Sequence, residues 1–361
     1  MNPSFQRMIF ASEAGFGRGA LPVRPRGCAR PLPNRNIVVT ADGRVRYARG
    51  MEPTDATAPQ SQDSQDGRRA VQRRGTVRVV TVAYNPGEEL VRFLDSLGRA
   101  SRRRVRVVIA DNGSEHGLVR EAAERFGAEV VTDGTNRGYG GGANLAARDL
   151  DEDWVVVANP DIVWRPGSLD VLIDAGLNTA GAGCLGPRLL NPDGSVYPSG
   201  RALPTLVRGA GHAALTRVWP SNPFSAAYHS QGGNDAVREV GWLSGACLVL
   251  PAPVWRELGG FDEDYFMFFE DVDLGARVAR AGWRNVQVPA AVVVHEQGAS
   301  WKARPERMIR AHHASARRYL DGVYSAPWQA PLRWAVDGGL RLREELEVRV
   351  SARPPRRDRR K

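Results

Sequence analysis

The 361-residue chain has only three cysteines, Cys28, Cys184 and Cys247, and no paired or metal-type spacing links them. A disulfide framework is thereby excluded, and an odd, scattered set fits a reducing compartment. No uninterrupted apolar run of about 20 residues occurs, so no segment is expected to cross a bilayer as a helix. The N-terminus carries Arg7 but no continuous apolar stretch before the Pro- and Arg-rich residues that follow, which argues against a secretory signal. Two phosphate-binding fingerprints are also missing. Residues 77–83 run into Tyr84-Asn85-Pro86 without a dinucleotide-binding glycine pattern, and no Gly-Lys-Ser/Thr closes a P-loop.

Positive charge is present but badly placed for nucleic acid. Of the formal +10, residues 1–50 contribute +7, with nine Arg against Glu13 and Asp42. Residues 351–361 contribute +5, with five Arg and Lys361 against Asp358, so residues 51–350 net −2. A duplex-binding domain would be expected to carry its charge on the folded surface, and nucleic-acid binding is disfavoured. The basic ends suit an anionic membrane surface or simple solvation.

Residues 1–74 are rich in Arg, Gly, Pro, Gln and Ser and read as a mostly disordered extension, with residues 37–40 as one short strand. From Val77 the pattern alternates between strand and helix. Strands are expected over 77–83, 105–110, 129–132, 154–158 and 183–190, and helices over 88–97, 118–126, 166–175 and, after a glycine-rich turn, in the run that starts at Gly138. Further strands are expected near 247–250, 285–288 and 291–294, with helices over 253–258 and 270–281. This alternation predicts an α/β fold with a mostly parallel central sheet flanked by helices. Residues 75–300 would form the main folded domain, with 191–236 as an irregular insertion. Residues 301–350 would form C-terminal helices, and 351–361 a basic tail.

The run Trp154-Val155-Val156-Val157-Ala158 reads as a buried strand, leaving Asn159 and Asp161 at its carboxyl end, where open sheets bind ligands. Two oxygen-bearing side chains there can share a hard divalent cation if a diphosphate completes the shell, although Asn-Pro-Asp is also ordinary turn chemistry. Asp111 ends another strand and can accept from a nucleobase or ribose, or merely close its turn, with Ser114 capping the next helix. The run 136–144 offers backbone amides without Cβ atoms in the way, as close approach of phosphate or sugar requires. Residues 261–277 combine carboxylates with aromatic rings. At a helix start Glu270 and Asp271 have the dipole in their favour, suited to taking a proton from a hydroxyl, whereas Asp273 and Arg277 have the spacing of a helix-stabilising pair. His295 ends an apolar strand and can close an oxygen-rich metal shell if its strand end meets that of Asp161.

Thr81-Val82-Ala83-Tyr84-Asn85, Asp111-Asn112-Gly113-Ser114, the glycine-rich 136–144, Asn159-Pro160-Asp161, Trp242-Leu243-Ser244-Gly245, Phe269-Glu270-Asp271-Val272-Asp273-Leu274 and His295 occur in the order found in the inverting family 2 glycosyltransferases of GT-A fold. Across roughly residues 77–300 the chain resembles that family. The Asn-Pro-Asp, Trp-Leu-Ser-Gly-Ala and Phe-Phe-Glu-Asp-Val-Asp-Leu elements resemble its rhamnosyltransferases acting on lipid-linked N-acetylglucosamine in cell-wall linker synthesis. The resemblance implies a GT-A nucleotide-sugar-binding fold and assigns roles. Asp111, with Thr81 and Tyr84, would hold the nucleotide base, and Gly138, Asn159 and Asp161 would contact the nucleotide sugar. Asn159 takes the first place of the family's D-x-D motif, so ligation of Mg²⁺ or Mn²⁺ would fall on Asp161 and His295. Trp242, Leu243, Ser244 and Gly245 would face the acceptor. Asp271 would be the general base and Glu270 its neighbour. Ser300 and Trp301 would order over the diphosphate. The donor implied is dTDP-L-rhamnose, the acceptor a polyprenyl-diphosphate-linked glycan, and the place the cytoplasmic face of the plasma membrane. Another donor, such as a UDP-hexose or galactofuranose, or another glycan acceptor stays open, and so do an inactive sugar-nucleotide-binding scaffold and a homo-oligomer.

Overall fold

The computed structural model describes residues 37–39, 45–47, 75–115, 117–204, 235–297 and 305–351. A short antiparallel hairpin, β1 (Ile37–Val39) with β2 (Val45–Tyr47), belongs to a unit of its own, Met1–Arg69. The rest of the N-terminal extension lies outside the described residues. The second unit begins with β3 (Val77–Ala83), α1 (Glu88–Leu97), β4 (Val105–Asp111), α2 (Leu118–Phe126), β5 (Glu129–Val131), α3 (Gly138–Ala146) and β6 (Trp154–Ala158). It continues with β7 (Ile162–Trp164), α4 (Ser168–Asn178), β8 (Ala182–Leu190), β9 (Val196–Tyr197) and β10 (Gly200–Arg201). The remainder is β11 (Arg238–Val240), β12 (Trp242–Leu243), β13 (Cys247–Pro251), α5 (Ala252–Leu258), α6 (Glu270–Arg280), β14 (Arg284–His295), α7 (Pro305–Val323), a 3₁₀ turn (Pro327–Gln329) and α8 (Ala330–Ser351).

The apolar run at β6 is buried because both faces of the sheet are covered. Trp154, Val156 and Ala158 pack on the side of Leu90 and Phe93 from α1 and Leu169, Leu172 and Ile173 from α4. Val155 and Val157 pack on the other side with Ala143 and Ala146 from α3, Trp255 from α5 and Leu274 and Val278 from α6. Fully burying each such valine contributes about 1.5–3 kcal/mol, and the alternation along one strand ties both helical layers to it. In α1 the buried Leu90, Phe93, Leu94 and Leu97 make one face, and Glu88 and Glu89 in the first turn suit the helix dipole.

The sheet runs β11-β14-β8-β13-β6-β3-β4-β5, with β7 paired to β14 and β9 to β8. The expectation of a mostly parallel sheet needs correcting. Only β6-β3-β4-β5 and β14-β8 pair in parallel; β13 is antiparallel to both β6 and β8, and β11 and β7 are antiparallel to β14. A strand buried on both faces has the same apolar composition whichever way it runs, so the Cys247–Pro251 pattern holds no sign of its direction. The start of the 191–236 insertion is not irregular either: β9 extends the sheet, and β10 pairs with β12. Residues 205–234, the remainder of the insertion but for its last two residues, lie outside the described residues, as does the basic tail beyond Ser351.

Strand direction decides where the chemistry gathers. The carboxyl ends of β3, β4, β6, β8 and β14 share one edge of the sheet, as do the amino ends of β13 and β7. Tyr84, Asp111, Asn159, Asp161, Gly245 and His295 therefore all stand at that edge. At the C-terminal end of the chain α7 and α8 pair through Arg317–Glu344 at 2.7 Å and Arg310–Glu344 at 3.2 Å. Among the described residues no helix is long and apolar enough to cross a membrane.

Candidate active site

Asn159 and Asp161 follow β6 and are locked to two neighbours. The Asn159 amide donates to the Ala246 carbonyl at 3.0 Å, and the Glu296 amide to the Asp161 carbonyl at 2.9 Å. Register pairing of His295 with Ile162 then brings the imidazole across, its Nε2 3.3 Å from Asp161 Oδ1. The two side chains are only 14% and 13% exposed, and Nε2 also lies 3.4 Å from the Asn159 side-chain amide. Two donors bound side by side to an octahedral cation at about 2.1 Å stand about 3 Å apart, close to the spacing seen here. Since the ends of an amide can be exchanged without altering its shape, all three side chains can present a lone pair to one point. Among the described residues no set of three or more His, Cys, Asp or Glu side chains gathers around a metal position. A cation here would need a ligand such as a diphosphate to complete its shell.

Asp271 stands in the first turn of α6. Its Oδ2 accepts the Gly245 amide and its Oδ1 the Val272 amide, each at 2.8 Å. The Tyr139 hydroxyl donates to the Gly245 carbonyl at 2.7 Å, so Gly245 is held from both sides. The helix is entered through Phe268 and Phe269, with φ of 67° and 65°. The left-handed conformation costs a residue with a Cβ about 1–2 kcal/mol, and it persists only where the surroundings over-determine it.

Burial, with the charge of Asp271 beside it, pushes the Glu270 carboxyl up to about 8. Burial also raises Asp271, against the opposing pull of the Gly245 and Val272 amides and of the Arg201 guanidinium. Two adjacent carboxyls in a dry site cannot both ionise near neutral pH. Glu270, only 6% exposed and with Oε2 unpartnered among the described residues, keeps the proton. Asp271, with two amide donors, is left as the carboxylate.

Asp111 sits at the end of β4, on the far side of β3 from β6. Two strand spacings amount to about 10 Å, a suitable reach for a nucleoside. Its Oδ1 accepts the Ser114 amide at 2.9 Å, so it does close its own turn. Ser114 does not cap the following helix: its Oγ accepts the Asn85 amide at 3.0 Å, and the Asn85 side chain takes the Glu115 amide, tying the turn after β4 to the turn after β3. Tyr84 is half-buried at that junction.

Three expected contacts are placed differently. Thr81 is fully buried within β3, one layer below the edge, and does not line an open pocket. Leu243 is 2% exposed and belongs to the core, whereas Trp242 and Ser244 on either side are half-buried. The glycine run is not an open phosphate cradle. It lies inside α3, and a Cβ at Gly138, where φ is +74°, would come within 2.0 Å of the Phe266 carbonyl oxygen. Its lack of a side chain serves close packing of α3 against the segment before Glu270, with the Tyr139 amide bonded to Phe266 O at 3.0 Å. The Asp273–Arg277 pair forms at 2.6 Å as expected. Ser300 and Trp301 lie outside the described residues.

Arg201 escaped the sequence reading. It lies in β10, its guanidinium 5.6 Å from the Tyr197 ring centroid and 5.5 Å from that of Trp242, and it supplies positive charge near Asp271. Its place in a stretch without periodicity left no signal. Tyr139 was visible only as part of the glycine run.

A model described as "Glycosyltransferase like family 2" matches residues 71–314. The chain is 46% identical over 291 residues to the N-acetylglucosaminyl-diphospho-decaprenol L-rhamnosyltransferase of Mycobacterium tuberculosis, covering 77% of this chain and 95% of that protein. It is 24% identical to the rhamnosyltransferase WbbL of Escherichia coli K12, over 68% of this chain and 92% of that one. The solved mannosyltransferase PcManGT of Pyrobaculum calidifontis, in complex with GDP-Man and Mn²⁺, aligns with 76% of this chain and 72% of its own, at 21% identity and a TM-score of 0.45. With a mixed central sheet between helical layers, a GT-A-like α/β architecture and this degree of likeness, the chain belongs to the family 2 glycosyltransferases.

Proposed function

We propose that this enzyme transfers L-rhamnose from dTDP-L-rhamnose, with inversion, to N-acetylglucosamine carried on a polyprenyl diphosphate such as decaprenyl diphosphate, a step of cell-wall linker synthesis. The observation that carries this reading is 46% identity across 95% of the M. tuberculosis rhamnosyltransferase. The edge of the sheet has the groups such a transfer needs. Asp111 and Tyr84 bind the nucleoside. Asp161 and His295, with Asn159 beside them, would hold a divalent cation, Mg²⁺ or Mn²⁺, which when bound would offset the charge of the departing nucleoside diphosphate. Trp242, Ser244 and Gly245 line the acceptor side. Asp271 takes the proton of the acceptor hydroxyl as its oxygen attacks the anomeric carbon, while the bond to the diphosphate oxygen breaks on the opposite face. Glu270, protonated, keeps a second negative charge away from that base.

A lipid-linked acceptor calls for a membrane face, and α8 supports one. Leu332, Leu342, Leu346 and Val350 recur along one side of the helix and are exposed, with the exposed Trp328 just before it, whereas Glu344 and Val348 on the other side are buried. Arg343, paired with Glu347 at 2.7 Å, and Arg349 border the apolar stripe, and five more Arg and Lys361 follow in residues 351–361. Apolar side chains bordered by cations suit the inner, anionic face of the plasma membrane.

The test is transfer from dTDP-L-rhamnose to a lipid-linked N-acetylglucosamine, with the product's anomeric configuration read by NMR. An inverted rhamnosyl disaccharide is expected. Turnover of a UDP-hexose or UDP-galactofuranose in its place would overturn the donor assignment.

A further inference from the structure

The left-handed turn at Phe268-Phe269 needs an outside support, and α7 supplies one along its length. Ser315 Oγ donates to the Met267 carbonyl at 2.9 Å. The His312 ring meets Phe268 and Phe269 edge-on, with centroids 5.5 Å away in each case, and Tyr319 packs 5.7 Å from Phe269. His312, Ser315 and Tyr319 are spaced by three and four residues, so they share one face of the helix. Two arginines extend the grip upstream. Arg318 bonds to Asp262 at 3.3 Å and to Asp264, and lies 5.4 Å from the Tyr265 ring centroid, while Arg307 lies 5.2 Å from that of Phe266. Tyr265, Val272 and Tyr319 close the contact as a small buried cluster.

These contacts converge on the residues that set where α6 begins. If Phe269 relaxed to negative φ, the first turn of α6 would rotate and Asp271 would leave the Gly245 amide. We propose that α7 is the clamp that positions the base, with His312 and Ser315 fixing the Phe268-Phe269 turn and, through it, the direction in which Asp271 faces the acceptor hydroxyl. The inference rests on Asp271 being the base. Neither His312 nor Ser315 touches substrate; both are positioning residues.

The test compares His312→Ala, Ser315→Ala and His312→Phe in the full-length enzyme. Misplacement of a reacting group by about 1 Å can cost roughly 100-fold, so the two alanine variants are expected to lose about 10- to 100-fold in kcat. Their KM for the donor and their affinity for nucleoside diphosphate should stay within about twofold, since only the transition-state interaction is lost. His312→Phe, which keeps an aromatic ring against both phenylalanines, should recover most of the rate. Amide exchange should quicken over residues 262–271 in both alanine variants and stay unchanged over 77–83. An unchanged kcat, a parallel loss of nucleotide affinity, a His312→Phe variant as slow as alanine, or unaltered exchange over 262–271 would each overturn the clamp. The exchange measurement needs no substrate, so a wild-type chain that transferred no rhamnose would sink the functional reading while exchange still decided for or against the clamp.

Discussion

Asp271→Asn isolates the chemical step. The carboxylate accepts one backbone amide on each oxygen, Gly245 on Oδ2 and Val272 on Oδ1. Asparagine keeps a single acceptor oxygen, so its NH₂ must face one of those two N–H donors. Leaving one amide unsatisfied costs about 1–3 kcal/mol, and the cost falls on the first turn of α6. The larger loss is catalytic. Proton removal by a positioned base is worth about 10² to 10⁴ in rate, or roughly 3 to 5 kcal/mol of barrier at 1.36 kcal/mol per tenfold. Single-turnover transfer at saturating donor reads that loss directly, and calorimetry with nucleoside diphosphate reads the site that should be untouched. The expected result is a rate down by at least about 100-fold with nucleotide affinity retained. A rate within tenfold of wild type would refute the assignment of the base, and so would a loss of nucleotide binding as large as the loss of rate.

The remaining predictions concern the other groups of the site and the membrane face. Glu270 has its carboxyl raised from near 4.5 to about 8, so the fold favours the protonated form. That contribution is fully present below about pH 4.5 and disappears as pH rises through about 8. The melting temperature of wild type relative to Glu270→Gln should therefore fall between those values, and parallel curves for the two proteins would contradict it. Asp161→Ala and His295→Ala should each weaken nucleoside diphosphate binding and make it insensitive to Mn²⁺; titrations whose metal dependence matched wild type would count against that pair. Leu342→Ser with Leu346→Ser, or removal of residues 351–361, should reduce sedimentation with anionic vesicles and spare binding of soluble nucleotide. Unchanged partition between vesicles and buffer would remove α8 and the tail from the membrane reading.

Much of the scaffold was legible because its signals are local. Leu90, Phe93, Leu94 and Leu97 mark α1 to the residue, and the unbroken run at β6 marks a strand covered on both faces. Signals that depend on partners were not local. Pro289 splits the apolar pattern of β14 into two apparent strands, yet the chain forms one of twelve residues with an irregularity at that place. Ile162–Trp164 is too short to carry a strand signal of its own, and it pairs because β14 arrives beside it. The places of Asp161, Asp271 and His295 at strand and helix ends were readable from motif and position. That the first and last of these touch depends on strand register, which composition does not encode. Gly138 illustrates the reverse error: absence of a Cβ marks close approach, and the atom that approaches is a carbonyl of the same chain.

The irregularity in β14 bears on how the enzyme tolerates change. Val288 pairs with Pro187 and Val292 with the very next residue, Arg188, so residues 289–291 are surplus to the ladder. Because side chains alternate along a strand, the pairing of Val292, Val293 and Val294 with Arg188, Leu189 and Leu190, and of His295 with Ile162, sets which layer the imidazole faces, whatever the number of residues in the bulge. A homologue one residue shorter in the bulge could thus present the same side chains at the sheet edge, so long as those pairs are kept.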